Sequence, residues 1–221
     1  MSFYGFIDTL TLLAPALLLL GIAAGAYYFK SLDRAHKTIT IYLLVALIAD
    51  LMSRGYVVIY ENNLVFILLF SLLELILFSS LYFTLFLRKR NPFLIGLTAA
   101  GTLFIIWELF SLKFASVEQF QSYSKVVDTF LIVLLSVSFF FEKIRDKNSQ
   151  VWEFFQLNSI ILLFFSLNLL FFLPINFLIN ETSNLKFYFW LGNLAVTLIF
   201  YLLLTREIWK NGMTRKQLRS G

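Results

Sequence analysis

LVFILLFSLLELILFSSLYFTLFL, residues 64–87, is an unbroken run of 24 residues with one ionisable side chain, Glu74. As a helix rising ~1.5 Å per residue it would be ~36 Å long. That exceeds the ~30 Å hydrocarbon core of a bilayer. Asn62-Asn63 precedes the run and Arg88-Lys89-Arg90 follows it. A segment this long and apolar predicts a spanning helix, and its basic flank predicts a direction.

Working outward, the same pattern recurs. Seven spans are expected, at Ile7–Phe29, Thr38–Tyr60, Leu64–Leu87, Pro92–Leu112, Ser122–Phe141, Val151–Leu178 and Phe187–Trp209. They take up most of the 221 residues, so residues 1–221 read as a single all-α membrane domain, a seven-helix bundle. The apolar fraction is 60% and the charged fraction 14%, against ~45–50% and ~25% in soluble domains. This excludes a soluble enzyme, a secreted disulfide scaffold and a membrane anchor bearing a large soluble domain. The runs are too continuously apolar for the alternating strands of a membrane barrel. The first span lacks a basic leader segment, so it is expected to be retained. Pro174 is expected to end or kink the sixth span.

Basic residues alternate from one connection to the next. Lys30, Arg34 and Lys37 follow the first span, Arg88, Lys89 and Arg90 the third, and Lys143, Arg145 and Lys147 the fifth. Arg206, Lys210, Arg215, Lys216 and Arg219 close the chain. Fourteen of the 18 basic residues thus belong to one side, and only Arg54, Lys113, Lys125 and Lys186 do not. Basic connections stay cytoplasmic. The expected topology therefore has the N-terminus outside and the C-terminus inside, in the cell's inner (plasma) membrane. The net charge of +5 is then a topology signal and a contact to anionic lipid, not a nucleic-acid footprint.

Cysteine is absent and the single histidine, His36, reads as a solvated loop residue among basic neighbours. Thiolate chemistry, haem held by paired histidines and Ser–His catalysis lose their key groups. No cofactor, no metal and no catalytic residue is expected. Gly21 and Gly25, four apart among alanines, predict close intramolecular helix packing. No internal repeat of the kind that builds small transporters is visible beyond the charge alternation.

An ionisable side chain deep in a bilayer costs roughly 2.5–3.5 kcal/mol on insertion scales, and such groups face the bundle or a wet cavity. The candidates for ligand binding in an outward-facing cavity are Asp50, Arg54, Glu74, Glu108, Lys125 and Asp128, with Asn168, Trp190 and Asn193 beside them. Asp50 and Arg54 are spaced for an i, i+4 ion pair, and Lys125 and Asp128 for an i, i+3 pair. Glu74 has no base within a turn, so it is either protonated or paired with Arg54 across helices. Lys125 and Asp128 are expected near the outer mouth. Trp190, Asn193, Thr197 and Tyr201 share one helical face. The inner halves hold few polar groups, Asn158 and Glu153 in the sixth span among them. The expected picture is a polar cup over an apolar floor.

Several local stretches resemble a group of small seven-helix integral membrane proteins of bacteria. They are Asp50 late in the second span, Leu-Leu-Glu-Leu at 72–75, Phe-Phe-Gln-Leu-Asn at 154–158 and Trp-Leu-Gly-Asn at 190–193. The resemblance covers the whole chain and implies a place beside sensory systems, with no site residue to carry over. A retinal-binding rhodopsin is excluded by the seventh span, whose middle, Leu194-Ala195-Val196-Thr197-Leu198, has no lysine. The expected function is a non-catalytic, receptor-like sensor that takes a small polar or lipid-derived ligand in the outer cavity. It signals through a membrane or cytoplasmic partner docked on the basic loops and C-terminal tail. The rivals are an accessory subunit of a membrane complex, a small-solute transporter and a carboxylate-dependent lipid-modifying enzyme.

Overall fold

The computed structural model describes residues 3–60, 63–89, 91–111, 123–145, 154–178 and 185–220. It is all-helical, with no strand among the described residues. The helices are α1 (Phe3–Tyr28), α2 (Arg34–Tyr60), α3 (Leu64–Leu81), α4 (Pro92–Ser111), α5 (Ser124–Arg145), α6 (Phe155–Leu178) and α7 (Leu185–Ser220). All seven are, by length and composition, able to cross a membrane, as the helices of a multi-pass membrane protein must be. Arg90, Lys113, Lys147 and Glu153, and the side chains of Lys186 and Arg219, lie outside the described residues.

Five helices form a ring in the order α2, α3, α5, α6, α7, closed by packing of α7 on α2. Helix α1 lies in the groove between α2 and α7, and α4 packs against α3 and α5. Gly21 and Gly25 seat α1 in its groove. A Cβ on Gly21 would stand 2.6 Å from Leu43 and Thr205, and one on Gly25 would stand 2.3 Å from Thr40. Only a hydrogen in place of a side chain admits this approach. At the centre of the ring, Tyr42, Phe78, Phe165 and Phe200 are fully buried. Their rings meet edge-on with centroids 5.0–6.1 Å apart, the arrangement the aromatic quadrupole favours. Large apolar side chains such as Val58, Phe110 and Ile144 cover the outside. In water such a surface would drive aggregation, and against lipid it is matched.

Helix α6 runs through Pro174, without ending there, to Leu178, the end expected for the sixth span. Two details depart from the sequence reading. Helix α7 does not stop at Trp209. It continues to Ser220, 36 residues in all, because Lys, Met, Arg, Gln and Leu keep helix propensity high after hydropathy falls. Helix α3 ends in a π turn over Tyr82–Phe86. There the Leu87 N–H donates to the Tyr82 carbonyl at 2.8 Å.

Candidate functional site

Helices α3 and α5 run side by side in the same direction. Phe86 packs on Phe139, and the Arg88 N–H donates to Glu142 at 2.8 Å. Glu74 is the tenth residue of its 22-residue span, while α5 begins one residue before Lys125. The Leu64 end of α3 therefore extends ~15 Å beyond the start of α5. Lys125 and Asp128, at the start of their own span, thus stand level with Glu74, ten residues into α3.

This register builds a buried charge cluster. The Lys125 ammonium donates to Glu74 Oε2 and, at 3.0 Å, to Asp128 Oδ2. The Tyr42 hydroxyl donates to Glu74 Oε1 at 2.8 Å. Glu74, Lys125 and Asp128 are all buried, and Asp128 Oδ1 has no hydrogen-bond partner. Glu74 is thus paired with Lys125 and not with Arg54. A buried ion pair holds only where added hydrogen bonds satisfy the remaining atoms, and Tyr42 supplies one here.

Arg54 instead pairs with Asp50, Nε to Oδ2 at 2.8 Å, and its Nη2 donates to the Thr11 carbonyl at 2.8 Å. The pair is 36% and 28% exposed and ties α2 to α1. Glu108 serves the start of α5. It accepts from the Tyr123 N–H at 3.2 Å and from the Ser124 hydroxyl, a carboxylate at the positive end of a helix dipole. Asn168 accepts from Thr129 at 3.4 Å and donates to Asn193 at 3.0 Å, joining α5, α6 and α7. Trp190 lies apart, tilted on Phe187 and 38% exposed. The nine candidate residues therefore fall into separate groups: Glu74, Lys125 and Asp128 form one cluster, Asp50 pairs with Arg54 and Asn168 with Asn193, and Glu108 and Trp190 stand apart.

On the Leu64 side of the central rings, a cavity of about 190 Å³ opens between α2, α3 and α7. Asp50, Ser53 and the Tyr201 ring line it with Ala46, Ala49 and Phe70. Phe70 has a second neighbour, since the Lys125 ammonium stands 5.4 Å from its ring centroid. One ring thus separates the cavity from the charge cluster. The contact is a cation–π interaction.

Further polar groups escaped the sequence reading. Tyr82 donates to Asn158 Oδ1 at 2.6 Å, and Ser136 donates to the same oxygen at 2.9 Å. His36 is no solvated loop residue. It is only 6% exposed, in the first turn of α2, because Asp33 caps that helix. Asp33 Oδ1 accepts from the His36 N–H and meets His36 Nδ1, both at 2.8 Å. Asp33 Oδ2 accepts from Asn211 of α7 at 2.8 Å, with Arg215 at 3.4 Å. Burial alone would raise the Asp33 pKa, but the hydrogen bonds and charge of His36, with the Asn211 bond, hold it at about 2. An Asp at the N-cap is a helix-start signal legible in sequence, although Arg34, His36 and Lys37 separate it from the apolar run that begins at Ile39.

Among the described residues no three His, Asp or Glu side chains are grouped to hold a metal ion. Compared with protein-family models, with curated proteins and with solved structures, the chain has no match.

Proposed function

We propose that this protein is a receptor-like sensor of the bacterial inner membrane, with its N-terminus outside and its C-terminus in the cytoplasm. A small ligand with an apolar body and one hydrogen-bonding head occupies the cavity between α2, α3 and α7. Its apolar part meets Ala46, Ala49 and Phe70, and its head meets Asp50, Ser53 or Tyr201. The observation that carries the reading is the double role of Phe70. A ligand that displaces this ring changes the environment of the Lys125 ammonium, and so the balance of the whole buried cluster. The signal leaves through a partner docked on the basic connections and the extension of α7.

Thermal unfolding of the purified protein against a panel of metabolite-sized compounds tests this. A ligand that binds only the folded form raises apparent stability by ~2.7 kcal/mol at a hundredfold excess over its Kd. The shift should vanish in Ala49→Phe, which fills the cavity, and shrink in Phe70→Ala. A compound that stabilises all three proteins equally binds elsewhere, and a panel without any stabilising compound counts against the reading.

One observation favours a second reading, an accessory subunit. Asp50, Arg54, Glu74, Glu108 and Lys125 each have a partner within the chain, as polar groups that only fix helix packing would. Such a subunit would co-purify with a membrane partner and melt at a lower temperature without it.

A further inference from the structure

We propose that the cavity at the other end of the bundle, between the end of α3, the start of α4 and the end of α5, binds the phosphate of an anionic phospholipid. The proposal rests on the membrane-spanning reading but not on the ligand cavity. The space measures about 640 Å³. Arg88 and Lys89 line it from the bend after the π turn and Arg145 from the end of α5, against one carboxylate, Glu142. That carboxylate is already engaged on the Arg88 backbone N–H. Neither Lys89 nor Arg145 has a hydrogen-bond or ion-pair partner among the described residues, so the protein does not neutralise them.

The walls match a lipid in depth as well as in charge. The apolar runs of α3 and α4 stop at Leu87 and resume at Pro92, which places the cations at the edge of the hydrocarbon. Leu94 and Phe141 line the same space, and Phe141 is 69% exposed. An acyl chain can lie along these side chains while the phosphate reaches the cations. Asn91 lines the cavity too and caps α4 by accepting the Phe93 N–H at 3.0 Å. The first turn of that helix therefore borders the site with the positive end of its dipole. Basic pockets between spanning helices on the cytoplasmic side suit anionic head groups. A free phosphate ester offers the same head chemistry but gains nothing from Leu94 and Phe141.

Native mass spectrometry of the full chain in detergent can decide the matter. Dioleoyl-phosphatidylglycerol should be retained about tenfold more tightly than dioleoyl-phosphatidylcholine. The double variant Lys89→Ala with Arg145→Ala should lose that preference, and its lipid-free melting temperature should stay that of the parent. Removing as much charge at the same end, by Lys30→Ala with Arg34→Ala, should change retention less than about twofold. Glu142→Gln keeps an acceptor for Arg88 and should tighten phosphatidylglycerol binding. Equal loss in both double variants would overturn the proposal, as would equal retention of the two lipids or weaker binding by Glu142→Gln. Glycerol 1-phosphate binding as tightly as the lipid would overturn the lipid assignment. Recovery of the chain from cells without detergent would overturn the membrane reading itself, a separate failure.

Discussion

Glu74 and Lys125 close an ion pair between α3 and α5, with both side chains buried near the middle of the α3 span. Two carboxylates share this one ammonium, since Lys125 also reaches Asp128. The cluster is therefore vulnerable on its basic side. Lys125→Met leaves Glu74 and Asp128 facing each other without a counter-charge. Breaking one side of a buried pair costs ~3–5 kcal/mol, and the melting temperature should fall accordingly. Adding Glu74→Gln and Asp128→Asn to Lys125→Met should recover most of the loss. A triple variant no better than the single one would show that the three do not act as a unit.

The pair Asp50–Arg54 should behave differently, because it is about one-third exposed. A double-mutant cycle with Asp50→Asn and Arg54→Gln should give a coupling energy of ~1 kcal/mol or less. Arg54→Gln alone should cost more than Asp50→Asn, since it also releases the Thr11 carbonyl of α1. Equal single effects would assign the α1 contact no weight.

How much of this was legible beforehand differs from residue to residue. The positions of the seven helices followed from hydropathy, and Glu74 stood out as the one charge in residues 64–87. Its partner did not, because the depth at which α5 starts depends on packing against α3. No local pattern around Lys125 records that register. Nothing in the sequence around Tyr42 or Tyr82 says which group each hydroxyl meets, although a buried tyrosine hydroxyl requires a partner and each has one. His36 reads as a loop residue from its basic neighbours alone, and Asp33, three residues before it, is what places it in a helix.

A matched pair of glycines tests the packing of α1. Gly25→Ala puts a methyl 2.3 Å from Thr40 Cγ2, an overpacking that should cost ~1–3 kcal/mol. Gly55→Ala meets nothing within 4 Å and should be neutral or stabilising by up to ~1 kcal/mol through helix propensity. Thermal unfolding of both variants in the same detergent compares them directly. A tolerated Gly25→Ala would mean that α1 can shift in its groove.

Acid should weaken the joint between α2 and α7 through Asp33. Its folded pKa of about 2 lies below the ordinary value of 3.8. The stabilisation is therefore complete above that ordinary value and is lost as pH falls through the folded one. Melting temperature measured from pH 5 to pH 2 should drop more steeply in the parent than in Asp33→Asn, which carries no titrating group there. Parallel profiles would remove Asp33 from the acid response.

The length of α7 has a mechanical consequence. From Asn193, bonded to α6, to Ser220 at the far end, one uninterrupted helix covers 28 residues, or ~40 Å at the usual rise. A rod of that length pivoting by ~5° at its Asn193 end swings the other end by ~3.5 Å, simple lever geometry on the same rise. The part of α7 near that end is tied as well, Asn211 and Arg215 to Asp33 and Lys216 to the Tyr27 hydroxyl, so a tilt of the helix would pull on the connection between α1 and α2. Coupling of this kind needs no flexible hinge, only a stiff helix tied near both ends.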